Sequence, residues 1–280
     1  MRAIIIGAGR GSRLKAITGN QPKCFAPVGG RRILDWVLKA FESVNLPDSR
    51  APVFIGGYRI DDIRADYPSL TFCHNADWTN NNILASLFHA EHHMEEGFIC
   101  TYSDILFRDS IVRRALDHPA DIVLCVDTRW RNRYADRTMH PEDDAEKVQA
   151  KGDRVIRIHR GIAAGAAQGE YIGVARFSAK GARVIREHYH RAGKAFAGRP
   201  WREAKVFEKA YLIHLLQDMI EQGVDIRMVM TEGDYMEIDT DEDFALANRD
   251  WPRQTESGEA TPNESEHALR PNDKEQNDHD

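Results

Sequence analysis

The sequence predicts an α/β protein with a mostly parallel central sheet flanked by helices, carrying a smaller β excursion on one side. Three observations predict it. Hydrophobic runs of strand length at Ile4–Ile6, Val53–Ile55, Leu70–Cys73 and Phe98–Phe107 alternate with stretches of helical spacing; that order builds a parallel sheet through right-handed crossovers. The first run opens straight into a glycine-rich, basic turn, so the chain's first loop is shaped for a ligand. After the strand-like run Asp121–Asp127, a charged and aromatic stretch followed by a hairpin signal at Gly152-Asp153 interrupts the alternation.

Composition sets the outer limits. With 280 residues, 42% of them hydrophobic, the chain can bury a substantial core, and we expect one large domain over residues 1–251. Residues 252–280 are rich in Glu, Asp, Asn, Pro and Ser and nearly lack large apolar side chains, so a disordered acidic tail is expected. A net charge of −6 and a pI near 6.1 give no global attraction for nucleic acid or an anionic membrane. Cys24, Cys73, Cys100 and Cys125 are widely spaced with no Cys-x-x-Cys pair. That pattern argues against a zinc site or a disulfide framework and suits a reducing cytoplasm. No apolar run reaches the ~20 residues that span a bilayer. The sequence is compatible with a homodimer and does not specify an oligomeric state.

Taken in order, Ile4-Ile5-Ile6 is the run expected of a buried parallel strand. In the turn that follows, Gly7, Gly9 and Gly11 free the backbone to converge amide N–H groups on phosphate oxygens, and Arg10, Arg13, Lys15 and Lys23 supply cations suited to a nucleoside triphosphate. Two familiar phosphate loops fit badly. A Walker A loop needs Gly-Lys-Ser/Thr where Gly11-Ser12-Arg13 stands, and a dinucleotide fingerprint needs a third glycine where Ser12 stands.

Ile33, Leu34, Val37, Leu38 and Phe41 predict a packing helix over 33–44, and Asp61-Asp62 the start of another, where acids complement the helix dipole. Asn80, Asn81 and Asn82 precede the helical run Ile83–Leu87. One asparagine serves as an N-cap, but capping does not require three, and amide groups also offer the donors and acceptors that a pyrimidine edge demands. Asn81, Asn82 and Ser86 are therefore candidates for the base or ribose. Asp104 emerges where the run Phe98–Tyr102 ends, at the carboxyl end of a strand, which is where ligands collect in an open α/β sheet and where an acid is well placed to hold Mg²⁺.

Arg129, Arg131 and Arg133 alternate with Trp130 and Tyr134, so this stretch reads either as a solvated charged loop or as an extended ribbon with a cationic face; in the second case Arg129 meets an incoming substrate's phosphate. His140, the pair His92-His93 and His188-x-His190 lack partners at metal-ligand spacing and read as surface or core histidines. Val155–Ile158 returns as a strand, Gly161–Gly169 as an alanine-rich mobile loop, and Glu170–Ala175 as a further strand, in which Glu170 either meets a hydroxyl or an ammonium group or is simply a polar strand end. Helices are predicted over Lys180–Ala192 and Trp201–Gln222, then a strand over Ile226–Met230. Glu237 and Asp239 alternate in strand periodicity and share a face; Tyr235 is placed to stack on substrate or enclose a quaternary ammonium. A short helix over Asp241–Asn248, capped by Thr240 or Asp241, closes the domain.

Gly-x-Gly-x-Arg-Leu with Thr18, Pro22-Lys23 and Pro27-Val28-Gly29 resembles the opening of the nucleotidyltransferase (NTP transferase) family, which joins an NTP to a phosphorylated small molecule and releases pyrophosphate. The likeness runs over roughly the first 250 residues. The stretches NADWTNNNILASL, YSDILF and EIDTDEDFALA are more similar to the phosphocholine and aminoethylphosphonate cytidylyltransferase branch than to the glucose-1-phosphate branch. The resemblance implies a Rossmann-like fold of the nucleotide-diphospho-sugar transferase type. It implies Mg²⁺ on Asp104 and Asp239, triphosphate on Ala8, Gly9, Arg10 and Gly11, and catalytic roles for Arg13 and Lys23. Glu170 and Tyr235 would face the acceptor. The expected reaction is in-line attack by the acceptor's phosphate or phosphonate on the α-phosphorus of CTP. A sugar-1-phosphate transferase using UTP or dTTP and a catalytically silent nucleotide-binding regulator are the alternatives.

Overall fold

The computed structural model describes residues 1–44, 46, 50–135, 137–139 and 141–256. Its elements follow in the order β1 (Arg2–Gly7), α1 (Lys15–Thr18), the two-residue ribbon β2 (Pro27–Val28) and β3 (Arg31–Arg32), α2 (Ile33–Glu42), β4 (Val53–Gly56), α3 (Ile60–Asp66), β5 (Thr71–His74) and α4 (Ile83–Phe88). The chain continues through β6 (Phe98–Tyr102), β7 (Ile105–Phe107), α5 (Asp109–Asp117), β8 (Ile122–Asp127), α6 (Trp130–Ala135), β9 (Lys147–Lys151) and β10 (Arg154–Ile158). It ends with β11 (Gly169–Phe177), α7 (Ala179–Phe196), α8 (Leu212–Glu221), β12 (Arg227–Thr231), β13 (Tyr235–Glu237) and α9 (Asp241–Glu256).

Among the described residues, nine strands form one sheet in the order β5-β4-β1-β6-β11-β8-β12-β10-β9. The half that bears the glycine turn is parallel, with Ile4 paired to Val53 on one side and to Cys100 on the other. The excursion supplies the antiparallel strands: β9 and β10 form the expected hairpin, and β11 runs back between β6 and β8 while also pairing β9. Strand alternation divides the core between the two faces. Ile4 and Ile6 pack with Leu84 and Leu87 of α4, Ile185 of α7 and Leu215 of α8. Ala3 and Ile5 pack with Leu34 and Val37 of α2, Val112 of α5 and Ala247 of α9.

Three elements depart from the periodicity reading. The segment after Asp127 is neither loop nor ribbon but the helix α6. Trp130 and Tyr134 lie one helical turn apart and are both buried, in a small cluster with Ala145, so apolar burial at i,i+4 outweighs the alternation of charges. The helix predicted over Trp201–Gln222 begins only at Leu212. Arg202 takes a left-handed φ of 51°, and the carbonyls of Glu208 and Ala210 accept hydrogen bonds from Asn82 N and Leu84 N. That segment serves the N-terminus of α4 instead of its own helix. Finally, α9 runs on to Glu256, into the predicted tail, with Trp251 buried edge-on to Trp36 and beneath the Arg108 guanidinium. The rest of that tail, and His140, lie outside the described residues.

Candidate active site

The glycine turn is shaped by what passes behind it. A side chain at Gly7 would lie 2.5 Å from the Phe54 ring and 2.6 Å from Ser103 Oγ, so only glycine lets β1 and the end of β6 approach this closely. Gly11 has φ +66°, and a Cβ there would meet Lys23 Cδ at 2.6 Å. The left-handed turn at Gly11 thus leaves the channel through which Lys23 reaches the site. Lys23 itself opens a short 3-10 turn after Pro22 and is buried.

Two acids distant in sequence meet on that lysine. Lys23 Nζ donates to Asp104 Oδ2 at 2.7 Å and also to Asp239 Oδ1. The ribbon β7–β13 brings them together: Glu237 pairs with Ile105 in antiparallel register, which places the residues just before β7 opposite those just after β13, and Ile238 N donates to Asp104 O at 3.1 Å. Arg13 donates to the second oxygen of Asp239 and lies 3.4 Å from Asp144. Behind Asp239, the backbone N–H groups of Asp239 and Thr240 both donate to Asp243, while Asp243 N donates to Thr240 Oγ1. This reciprocal cap of α9 fixes the carboxylate's direction.

The electrostatics follow from this crowding. Burial, the largest influence on Lys23, lowers its proton affinity, but Asp104 and Asp239 more than reverse this and hold the ammonium well above its ordinary range. Arg13 is raised in the same way, by Asp239 and then Asp144, against burial. Glu237 is pushed the other way by its environment: burial first, and then the charges of Asp239, Glu170 and Asp104, raise its carboxyl far above the usual range.

A cleft of about 500 Å³ opens in front of these groups, floored by Gly7, Ala8 and Gly9 and by Arg13, Lys23, Asp104 and Asp239. Asn81, Asn82 and Ser86 line its far wall, but their side chains are committed differently. Asn82 is the N-cap of α4, accepting from Ile83 N at 2.8 Å. Asn75, fully buried, exchanges two hydrogen bonds with Asn81 (2.8 and 2.9 Å) and donates to Ser86 Oγ at 3.0 Å. Arg10 points away from the cleft, its guanidinium 5.3 Å from the Tyr58 ring centroid, and Gly11 acts through Lys23 instead of lining the cleft.

A smaller cavity of about 110 Å³ continues from the cleft, sharing Tyr102, Asp144, Arg160, Tyr211 and Glu237 with it. Glu170 and Tyr235 line this second cavity. Glu170 is not a bare carboxylate: it accepts from Tyr134 Oη at 2.8 Å and from Arg133, which also bonds Asp127 and lies 4.4 Å over the Tyr235 ring. Arg129 lines neither space. It stands just before α6, pairs with Glu232 at 2.5 Å and lines a separate cavity, whereas Arg133, within the helix, reaches Glu170. The cation that does stand between the two spaces is Arg160, stacked 4.3 Å over Tyr211 and donating to Glu146 Oε1 at 3.3 Å. No pattern in the sequence distinguishes Arg160; its only signal is a basic side chain just past a hairpin strand.

The sequence profile of the MobA-like NTP transferase domain matches residues 3–168, more than half of the chain. The chain belongs to this family. CTP:phosphoglutamine cytidylyltransferase of Campylobacter jejuni is 26% identical over 250 residues, covering 85% of this chain and 96% of that protein. Among solved structures, the inositol-1-phosphate CTP transferase from T. maritima superposes with a TM-score of 0.67 at 20% identity, over 89% of this chain and 95% of that one. The CTP:phosphocholine cytidylyltransferase from Streptococcus pneumoniae does so at 0.65 and 19% identity, over 89% and 97%. The NTP transferase is thus an enzyme of the nucleotide-diphospho-sugar transferase fold, near the cytidylyltransferases.

Proposed function

We propose that the chain is a cytidylyltransferase that condenses CTP with a small phosphorylated or phosphonate-bearing amine or alcohol, giving a CDP-linked product and pyrophosphate. One observation carries the reading: Lys23, Asp104 and Asp239 meet beneath the glycine turn in a cleft that opens into a second, smaller cavity. The names of the relatives favour CTP, and the amide cluster of Asn75 and Asn81 with Ser86 supports a pyrimidine edge on that wall.

Asp104 and Asp239 fit Mg²⁺, since two hard oxygen donors already converge on one cation, the Lys23 ammonium. When bound, the ion supplies Lewis-acid neutralisation of phosphate charge. In this reading the amides of Ala8 and Gly9 and the Arg13 guanidinium hold the β- and γ-phosphates, and Lys23 stabilises charge that develops as pyrophosphate leaves. Arg160 takes the role first given to Arg129 and turns the acceptor's phosphate towards the α-phosphorus. The attacking oxygen is already anionic, so positioning and charge neutralisation replace a general base. Glu170, its charge met by Arg133 and Tyr134, faces the acceptor's other end together with Tyr235. A cytoplasmic setting belongs to the same reading, supported by four free, buried cysteines.

Pyrophosphate release from each of the four NTPs, against a panel of phosphocholine, phosphoethanolamine, aminoethylphosphonate, phosphorylated amides and sugar 1-phosphates, tests the proposal. Release with CTP and a small non-sugar acceptor is expected. Preferential use of UTP or dTTP with a sugar 1-phosphate would replace it, and nucleotide binding without turnover across the panel would overturn catalysis.

A further inference from the structure

We propose that Cys73, His92 and His93 form a zinc-type metal site that staples together the two ends of the segment carrying Asn75, Asn81 and Ser86. Among the described residues, these three side chains bring one potential ligand atom each to within 4.8 Å of one another. Cys73 lies on β5, paired with Ile55, and His92 and His93 lie in the short 3-10 turn Glu91–His93 that follows α4. Consecutive side chains normally diverge, yet these two imidazole rings have centroids 3.9 Å apart. A thiol and two imidazoles are borderline-soft donors. They select Zn²⁺ over the Mg²⁺ that suits the oxygen-only pair Asp104 and Asp239, so the two sites would not compete for one ion.

The site is open to water on one side. His92 is exposed at the rim and His93 half-buried, whereas Cys73 forms the floor at 7% exposure. Tetrahedral zinc asks for ligand atoms roughly 3.4–3.6 Å apart, so side-chain movements of about 1 Å close the group. Arg2 sets the affinity. Its guanidinium donates to His93 Nδ1 at 2.9 Å, and also to Ala51 O and Thr71 Oγ1. An ion taking that nitrogen exchanges with a guanidinium and keeps a cation as neighbour, so this site binds more weakly than a four-ligand structural zinc. The thiol proton passes to solvent as the thiolate forms. An ion here closes the chain from β5 to the turn after α4, restraining the wall of the nucleotide cleft from behind.

The test uses tag-free, reduced, full-length protein. Cys24, Cys100 and Cys125 are at most 2% exposed, which leaves Cys73 as the most accessible thiol. A maleimide should therefore modify the native protein at Cys73, and Zn²⁺ should slow that reaction roughly tenfold or more. Cd²⁺ should give a thiolate charge-transfer band that saturates at a single equivalent, is lost in Cys73→Ser, and needs roughly tenfold more metal in His92→Gln or His93→Gln. Zn²⁺ should also slow amide exchange in the segment from Cys73 to His93. Melting curves without metal establish that the variants fold. If Cys73→Ser does not, mass-spectrometric mapping of maleimide on the unaltered chain decides. Protection of Cys73 unchanged by replacing both histidines, a full-strength band in Cys73→Ser, or no Zn²⁺ protection at all overturns the site.

Discussion

Replacing Lys23 by methionine keeps the length of the buried side chain and removes its charge. In the structure this ammonium is 7% exposed, 2.7 Å from Asp104 and in contact with Asp239. At an effective dielectric near 20, each contact is worth about 5–6 kcal/mol before desolvation is subtracted. Breaking a buried pair from one side typically leaves a net loss of about 3–5 kcal/mol. The lower end applies here, because Asp104 is 29% exposed and water can screen it. A loss of ~3 kcal/mol in a domain of this size lowers Tm by roughly 6–12 °C.

The sign with pH is fixed. With Lys23 gone, Asp104 and Asp239 lose the cation that lies between them and repel each other. In the unaltered chain the folded-state value of Lys23 is raised, so its contribution is complete at neutral pH and is lost only in strong alkali. Mg²⁺ should restore more of the melting temperature in Lys23→Met than it adds to the parent, because the ion no longer displaces an ammonium. Calorimetric melts across pH with and without Mg²⁺, alongside pyrophosphate release expected to drop about 10²–10³-fold, measure both halves. A variant that melts with the parent, or that gains nothing from Mg²⁺, refutes the picture of two carboxylates held together by one cation.

Gly11→Ala should slow turnover more than tenfold and cost about 1–2 kcal/mol, since the new methyl both strains a φ of +66° and presses on Lys23; steady-state kinetics and urea melts check this. Arg160→Ala should raise the acceptor's KM at least tenfold while leaving that of the nucleotide nearly unchanged, and Arg129→Ala should change neither. Equal effects from the two arginines would contradict the separation of their cavities. His214, buried near Trp201, has its proton affinity lowered to about 4 by burial, with Glu203 opposing. Its depressed value contributes stability that is present above the unfolded range and lost as pH falls from about 6.5 towards 4. His214→Gln should flatten the fall in urea midpoint across that window.

The sequence carries the alternation of elements in the parallel half, the glycine turn and the acids at strand ends, because those are local: strand runs, left-handed turns and caps depend on near neighbours. It also supplied Lys23 and Arg13 as cations near a phosphate. Tertiary structure alone decided where charges point. Arg129 and Arg133 looked equivalent in an alternating pattern, but burial of Trp130 and Tyr134 wound the segment into a helix within which Arg133 reaches Glu170, whereas Arg129, just before it, pairs with Glu232. Asp104 and Asp239 are neighbours only through the register of β7 with β13, and Cys73 meets His92 and His93 only because the sheet returns the chain past its own edge. Such pairings are set by the long-range packing of elements, and no spacing along the chain encodes them.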